Sequence, residues 1–350
     1  MAETYEKELK RKIEQFTEGI RLRNGKKYKT LVDDGKSKIL DGDTIHVAVD
    51  LAYNDAKRTM NNIGELYEQK KDKQGNPDFA EDATGNKLLI KDIALKRIEE
   101  TLQQYFSEPE DRLVQFCNSL IEPNPEYKEF DEQTFDHFHD YLCGIWCEYF
   151  KKTKKPELGT YGKAQKIVNM SFKYLRCCGD ADNYRLHFQY CHMPLDSFTL
   201  EWFKREVMNW YKKEDKDKDK EFRVGKMSSW SAIENDEVED SASNGKNYPY
   251  SYYLNKIRNY IKNKEFELSP LELEFFAWPE IQAHLAAEGF WFALKENMEE
   301  KEEAEEEAVE KGKGKRKEKE KNNKEKKNDF INETLDNKHK LIIKEIVKNW

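Results

Sequence analysis

Apolar side chains recur every three or four residues along most of this chain, which is the spacing of amphipathic helices. Few stretches show the period-two alternation of a half-buried strand. The pattern predicts helices over Glu3–Leu22, Ile45–Glu68, Leu88–Phe106, Pro109–Ile121, Glu132–Lys152, Thr160–Cys178, Asp196–Tyr211, Tyr250–Lys264 and Pro270–Glu288. The fold class is therefore predicted to be all-α, an irregular multi-helix globular domain.

Capping residues place several of these helix ends. Asp43 or Thr44 is suited to cap the second helix, and Asp196 or Ser197 follows a turn at Pro194 and is suited to cap a later one. Pro270 stands directly after Ser269, in the first turn, where a missing backbone N–H costs nothing. These residues predict sharp helix starts.

Three stretches break the helical pattern. Residues 71–86 contain Gly75, Pro77 and Gly85 and are predicted to form a loop, and residues 212–247 open with a run of Lys, Glu and Asp that predicts a solvated polar linker. Residues 295–310 hold 9 Glu and 2 Lys, and residues 311–328 hold 10 Lys or Arg and 3 Glu, so their charges of -7 and +7 cancel. Such a segment buries too little apolar surface to fold alone, which predicts a flexible or semi-helical tether.

The pattern becomes amphipathic again over residues 329–350. The apolar positions Leu335, Ile342, Ile346 and Trp350 fall near one helical face, with lysines beside them. A stripe of this kind needs a surface to cover it. We expect it to dock on the protein's own core; a partner protein's groove and a membrane surface are the alternatives.

Together these features divide the chain into five segments. They are a helical core domain at 1–211, a polar linker at 212–247, an aromatic-rich helical segment at 248–294 that packs on the core, a charged tether at 295–328 and an amphipathic helix at 329–350.

Composition limits the class of protein. Apolar and charged residues each make up 37% of the chain, and no run of 18 apolar residues exists, which argues against a membrane-spanning protein. The net charge of -8 argues against a protein that binds duplex nucleic acid over its whole surface. An acidic amino terminus without an apolar core predicts no secretory signal, and six cysteines without framework spacing predict reduced thiols in the cytoplasm.

Histidine and cysteine cluster on the predicted helix over Glu132–Lys152. His139, Cys143 and Cys147 are spaced by four residues and so share a face, and imidazole and thiolate at that spacing can bind zinc. Cys177, Cys178, Cys191 and His192 could complete such a site. No CxxC pair accompanies them, so we interpret these residues mainly as small packing residues on apolar helix faces.

The dipeptide His139-Asp140 resembles the His-Asp pair of the all-helical HD-type metal phosphohydrolases, and the resemblance covers this dipeptide and the helicity. It implies a divalent metal that activates water against a phosphate ester. His46, with Asp182 or Asp196, would supply the remote ligands. The possible metal residues are thus His46, His139, Asp140 and Cys143; no cofactor is expected outside this enzyme alternative.

The predicted helix over Thr160–Cys178 carries a second candidate site. Amide and cationic side chains lie opposite its apolar stripe and can contact phosphates and base edges. These residues are Gln165, Lys166, Asn169, Lys173 and Arg176. We expect an ordinary solvated face or, as the functional alternative, an anion or nucleic-acid face.

No phosphate-binding loop, dinucleotide fingerprint or nucleophile elbow occurs in the chain. Nothing in the sequence demands catalysis. The sequence therefore favours a cytoplasmic, non-catalytic binding or assembly protein that acts on a protein partner or on itself. The alternatives are a nucleic-acid-associated protein that also uses the basic block Lys311–Lys327, and the HD-like metal-dependent phosphohydrolase.

Overall fold

The structure is a computed structural model. It describes residues 2–24, 37–57, 60, 66, 69–71, 77–79, 87–120, 127–214, 230–235 and 248–289. The predicted tether and the terminal helix, with Leu335, Ile342, Ile346 and Trp350, lie outside the described residues. The chain divides into two compact units, Met1–Phe276 and Ala277–Trp350. The predicted division into five segments stays a prediction.

The described residues have an all-α fold, as the apolar spacing predicts. The α-helices span Ala2–Asn24, Thr44–Ala56, Ile90–Ser107, Leu113–Leu120, Glu132–Lys151, Tyr161–Leu175, Arg185–Gln189, Ser197–Trp202, Met208–Glu214, Tyr250–Asn263 and 270–289. A π-helical turn at Phe203–Val207 joins two of them. Short 3₁₀ turns occur at Glu110–Arg112, Pro156–Gly159, Ala181–Tyr184 and Trp230–Ala232.

The predicted helix over Ile45–Glu68 is too long, because Met60 and Leu66, which the structure describes, are not helical. The helix ends at Ala56, and an antiparallel ribbon follows in which β1, Gln69–Lys71, pairs with β2, Pro77–Phe79. The chain beyond Ala56 carries Asn61-Asn62 and Gly64, which favour turns over helix.

The helix Tyr161–Leu175, here named the central helix, is the middle of the first unit. All of its residues are buried. It packs against Thr44–Ala56 on one side and against Glu132–Lys151, named the histidine helix, on another. A helix that is covered all round has no solvated face, so its polar side chains must find partners inside the protein.

Residues 230–235, within the predicted linker, form part of this cover. Trp230 and Ile233 are buried, so the expectation of a solvated loop is wrong for this stretch. The Gly162 N–H donates to the Ile233 carbonyl at 3.0 Å, and Thr160 Oγ1 donates to the Ser231 carbonyl at 2.8 Å. A Cβ on Gly162 would lie 2.1 Å from the Trp230 carbonyl oxygen, so only glycine allows this close approach.

Local capping explains two helix starts, whereas the predicted cap at Asp43 is wrong, since Asp43 makes no side-chain cap hydrogen bond to the helix Thr44–Ala56. The Asp196 carboxylate accepts from the Phe198 and Thr199 N–H groups at 2.8 and 3.0 Å, which confirms it as a cap. Ser269 and Glu272 form a reciprocal pair at the start of the helix over 270–289, where the Glu272 N–H donates to Ser269 Oγ at 3.2 Å.

Candidate functional site: a buried histidine and carboxylate network

Two histidines from distant parts of the sequence meet in the core of the first unit. His139 lies on the histidine helix, and His192 follows the short helix Arg185–Gln189. Their ring centroids are 4.2 Å apart, and both residues are buried. The two ring planes are tilted by 42°, and the ring nitrogens contact other side chains rather than each other.

Asn169 of the central helix is the hub of the network. Its Nδ2 atom faces three acceptors: Gln165 Oε1 at 3.0 Å, the Tyr250 hydroxyl oxygen at 3.0 Å and the Met193 carbonyl at 3.3 Å. The amide oxygen therefore points to His139 Nε2, 2.9 Å away. We assign the proton to that ring nitrogen, because an amide oxygen only accepts.

On its other side, the His139 ring reaches a carboxylate near the surface. His139 Nδ1 lies 3.2 Å from the Tyr161 hydroxyl, which also hydrogen-bonds to Asp140. Burial raises the pKa of the Tyr161 hydroxyl well above its usual value, so this group stays protonated. Burial would raise the pKa of Asp140 as well, but the neighbouring His139 ring and the hydrogen bond from Tyr161 outweigh it and lower the pKa.

His192 connects the network to an ion pair. Its Nε2 donates to Asp136 Oδ1 at 2.8 Å, and its Nδ1 lies 3.1 Å from the Tyr250 hydroxyl. Burial, together with the neighbouring His139, lowers the pKa of His192 to about 3. The neutral ring thus donates to the carboxylate and accepts from the tyrosine.

Arg258 holds Asp136 in place. Its Nη1 and Nη2 atoms donate to the two carboxylate oxygens at 2.8 and 2.6 Å, a bidentate geometry. Burial would raise the pKa of Asp136, but the hydrogen bonds from Arg258 and His192 lower it well below its usual range. Hydrogen bonds therefore run from His139 through Asn169, Tyr250 and His192 to Asp136 and Arg258.

The structure brings together only part of the predicted metal site. His139, Asp140 and Cys143 are neighbours, with Cys143 Sγ 3.7 Å from His139 Nε2. His46 is exposed and pairs with Glu99, its Nδ1 2.9 Å from Oε2. Among the residues that the structure describes, no three His, Cys, Asp or Glu side chains are arranged to hold a metal ion.

The six cysteines are free thiols. Burial raises the pKa of Cys117 and Cys147 to about 12 and that of Cys177 to about 11. Burial also raises the pKa of Cys143 well above its usual value. These thiols are neutral at physiological pH, and thiolate is the form that binds metals and attacks substrates.

The expectation of a solvent-facing set at Gln165, Lys166, Asn169, Lys173 and Arg176 is wrong. Gln165 and Asn169 are fully buried, and Lys173 is 2% exposed. The counter-charges come from Asp196 and Glu272, which are distant in sequence, and from Asp182, six residues after Arg176. Lys166 Nζ donates to Asp196 Oδ2 at 3.1 Å, and Arg176 donates to Glu272 at 3.3 Å and to Asp182 at 3.1 Å.

Lys173 is the most enclosed of these cations. It forms an ion pair with the buried carboxylate of Glu274, and its Nζ lies 3.9 Å from the centroid of the Phe16 ring. Burial raises the pKa of Glu274, although Lys173 opposes this. The three cations that looked suited to phosphate are instead paired with the protein's own carboxylates.

The sequence interpretation missed four members of the network: Asp136, Tyr161, Tyr250 and Arg258. For Asp136 a signal exists, because it precedes His139, Asp140 and Cys143 at spacings that share one helical face. No local signal identifies Tyr250 or Arg258, since their partners lie more than fifty residues away.

Comparisons with protein-family models, curated proteins and solved structures find no match to this chain. Across the described helices, none combines the length and apolar character needed to cross a membrane.

Proposed function

We propose that this chain is a non-catalytic binding or assembly protein, in which a rigid helical body carries a partner-binding segment at its carboxyl end. The observation that supports this most is the buried network. His139 bonds to Asn169, and His192 bonds to Tyr250 and Asp136, while His139 Nδ1 lies 3.2 Å from the Tyr161 hydroxyl, so all four ring nitrogens lie against groups of the protein itself.

A hydrogen-bond network of this kind suits a protein body that carries a binding segment. Polar groups that are satisfied in the core fix one arrangement of the helices, because any other arrangement leaves buried groups without partners. The cysteines are neutral thiols and the lysines of the central helix pair inside the protein, which also supports a structural role for these side chains. Function then depends on surfaces and on the segments that follow the body.

Neither alternative gains an observation from the described residues. The nucleic-acid interpretation used the face at Gln165–Arg176, whose members are buried or paired, and the basic block Lys311–Lys327 lies outside the described residues. The phosphohydrolase interpretation needed His46 beside His139-Asp140, whereas His46 pairs with Glu99. The cytoplasmic location stays a prediction.

The proposal is tested on the full chain by changing the apolar stripe of the carboxyl-terminal segment. I342E combined with I346E should abolish binding, because charge on the stripe prevents its burial against a partner. K340E combined with K344E, on the flanking positions, is the matched control and should leave binding unchanged. Light scattering gives the mass of the assembly, and titration with each purified partner gives its affinity.

Self-association that disappears in the stripe variant but persists in the control supports assembly with a second copy. Loss of a heterologous partner under the same conditions supports an adaptor role. The proposal is wrong if both variants keep the parent's mass and the parent's partner affinities.

A further inference from the structure

Four lysines lie close together where the histidine helix ends. Residues 151–155 read Lys-Lys-Thr-Lys-Lys and are here named the basic loop. Three of these lysines are exposed, and Lys155 is half-buried. Counted over residues 148–163, five Lys against two Glu give a local charge of +3, whereas the whole chain carries -8.

Within the part of the chain that the structure describes, none of these four lysines forms an ion pair. Lys166 and Lys173 of the central helix differ, because each of them pairs with a carboxylate. The partial negative charge at the end of the histidine helix favours the first two lysines of the basic loop. It does not account for Lys154 and Lys155, which follow the end of that helix.

Hydrogen bonds hold the basic loop and the turn after it against the histidine helix. The Thr153 hydroxyl donates to the Phe150 carbonyl at 2.8 Å and accepts from the Lys155 N–H at 3.0 Å. Trp146 Nε1 donates to the Leu158 carbonyl at 2.9 Å. The backbone that carries the lysines is therefore fixed before any partner arrives, which lowers the entropy cost of binding.

The composition of the basic loop favours carboxylates over the phosphates of a nucleic acid. Arginine binds phosphate with two parallel hydrogen bonds, and aromatic rings stack on bases, but the loop contains neither. A lysine ammonium is a point charge that pairs with a carboxylate in many orientations. The chain itself offers a run of carboxylates, since residues 295–310 hold 9 Glu and 2 Lys, a net charge of -7.

We infer that the basic loop binds the acidic segment, residues 295–310, of a second copy of this chain. Each copy brings one cationic and one anionic element, so the charges of the two elements are complementary. Because two different surfaces meet, the contact is head-to-tail and can link more than two copies. The contact uses charge and does not involve the apolar stripe of residues 329–350.

Two measurements on the full chain test this inference. Light scattering at about 50 mM salt should give a mass above that of one copy, and about 0.3 M salt should reduce it because salt screens exposed charges. Fluorescence anisotropy with a labelled synthetic peptide of residues 295–310 measures the contact itself. K152Q combined with K154Q should weaken peptide binding about five-fold, the effect of losing two exposed ion pairs, and should lower the mass at low salt.

K96Q combined with K128Q is the matched control. These two lysines are exposed and lie elsewhere on the body, so the control has the same net charge and an intact basic loop. It should bind the peptide and self-associate like the parent. Thermal melting of both variants shows that the fold is intact. The peptide lacks the apolar stripe, so failure of this inference and failure of the proposed function are distinguishable.

Equal peptide binding by the two variants, or the mass of one copy at every protein concentration, would overturn the inference. A labelled oligonucleotide of about 12 nucleotides is the competing probe. If it binds more tightly than the peptide, and K152Q with K154Q weakens that binding, the basic loop serves nucleic acid and the assignment to a second copy is wrong.

Discussion

The central helix and the helix Tyr250–Asn263, named the tyrosine helix, share a local sequence pattern and differ in their surroundings. Residues 165–169 read Gln-Lys-Ile-Val-Asn and residues 255–259 read Asn-Lys-Ile-Arg-Asn, and each helix holds three cations and no carboxylate. The first pattern is buried completely, whereas Asn255 and Asn259 of the second are exposed. A polar pattern on a helix therefore does not decide whether that helix faces water.

The difference comes from what the rest of the chain supplies. Asp196 and Glu274 provide carboxylates for Lys166 and Lys173 of the central helix, and Met193 provides a backbone acceptor for Asn169. Burying a charge is costly without such partners. On the tyrosine helix Arg258 pairs with Asp136, a carboxylate whose side chain is 34% exposed, so this pair lies nearer to solvent.

The largest expected effect is at Lys173. K173A leaves the Glu274 carboxylate buried without its cation and should reduce the free energy of unfolding by about 3–5 kcal/mol. The equivalent exposed change, K262A on the tyrosine helix, should stay within about 0.5 kcal/mol. Denaturant titration measures both.

The loss of unfolding free energy in K173A should also depend on pH. Burial raises the pKa of Glu274 above the 4.5 of a free carboxyl, and removing Lys173 removes the main opposing influence. A carboxyl whose pKa is raised on folding stabilises the protein below its unfolded pKa and loses that contribution as pH rises through the folded value. The difference in unfolding free energy between the parent and K173A should therefore grow as pH rises from about 4.5. A constant deficit, or failure of K173M/E274L to recover most of it, would contradict the ion-pair account.

The two asparagines at equivalent positions give a second comparison. N169A removes the hub of the network and leaves His139 and Tyr250 short of a partner, at a cost of about 3 kcal/mol. N259A removes an exposed side chain from a helix where alanine is the better former, so its effect should be within about 0.5 kcal/mol. Thermal and denaturant unfolding of both variants test this; similar losses would show that burial is not what separates the helices.

Acid should weaken the network through His192. The pKa of this group falls from 6.5 to about 3 on folding, so the unfolded chain binds the proton more readily. Stability from the neutral ring is complete above pH 6.5 and is lost as pH falls toward 3, at no more than about 1.4 kcal/mol per pH unit. His139, Asp136, Arg258 and Tyr250 face the ring, and Asp136 adds to the loss only at more acidic pH.

Unfolding followed between pH 7 and 4 measures this dependence. H192Q should reduce the slope of the unfolding free energy against pH. The matched control H46Q changes a histidine whose side chain is 60% exposed and should keep the parent's slope. An unchanged slope in H192Q would place the acid sensitivity elsewhere.

The smallest expected effect is at the end of the tyrosine helix. Glu265 has a φ of 55°, in the left-handed region, while the Phe266 N–H donates to the Ile261 carbonyl at 3.1 Å. Glycine relieves this strain, so E265G should raise stability by about 0.5–1 kcal/mol after the added chain entropy of the unfolded state. Gly42 shares the same φ, and G42A should have the opposite sign. Calorimetric melting temperatures should rise in E265G and fall in G42A.

Much of the fold was predictable because helix ends depend on nearby residues. The predicted helix Tyr250–Lys264 ends one residue beyond the observed helix, and the cap at Asp196 was foreseen from the turn before it. The candidate site was predictable only in part. His139, Asp140 and Cys143 lie on one helix and share a face, whereas His192 and Arg258 reach the network only through folding.

The sequence by itself determined most of the described helices and the cap at Asp196, because these depend on residues within a few positions of one another. Only the tertiary structure decided which amide and lysine face is buried and which meets solvent. That choice depends on carboxylates and carbonyl groups tens of residues away, such as Glu274 for Lys173 and Met193 for Asn169. The local sequence pattern does not reveal such partners, because the burial of a charge depends on the groups that the folded chain places beside it.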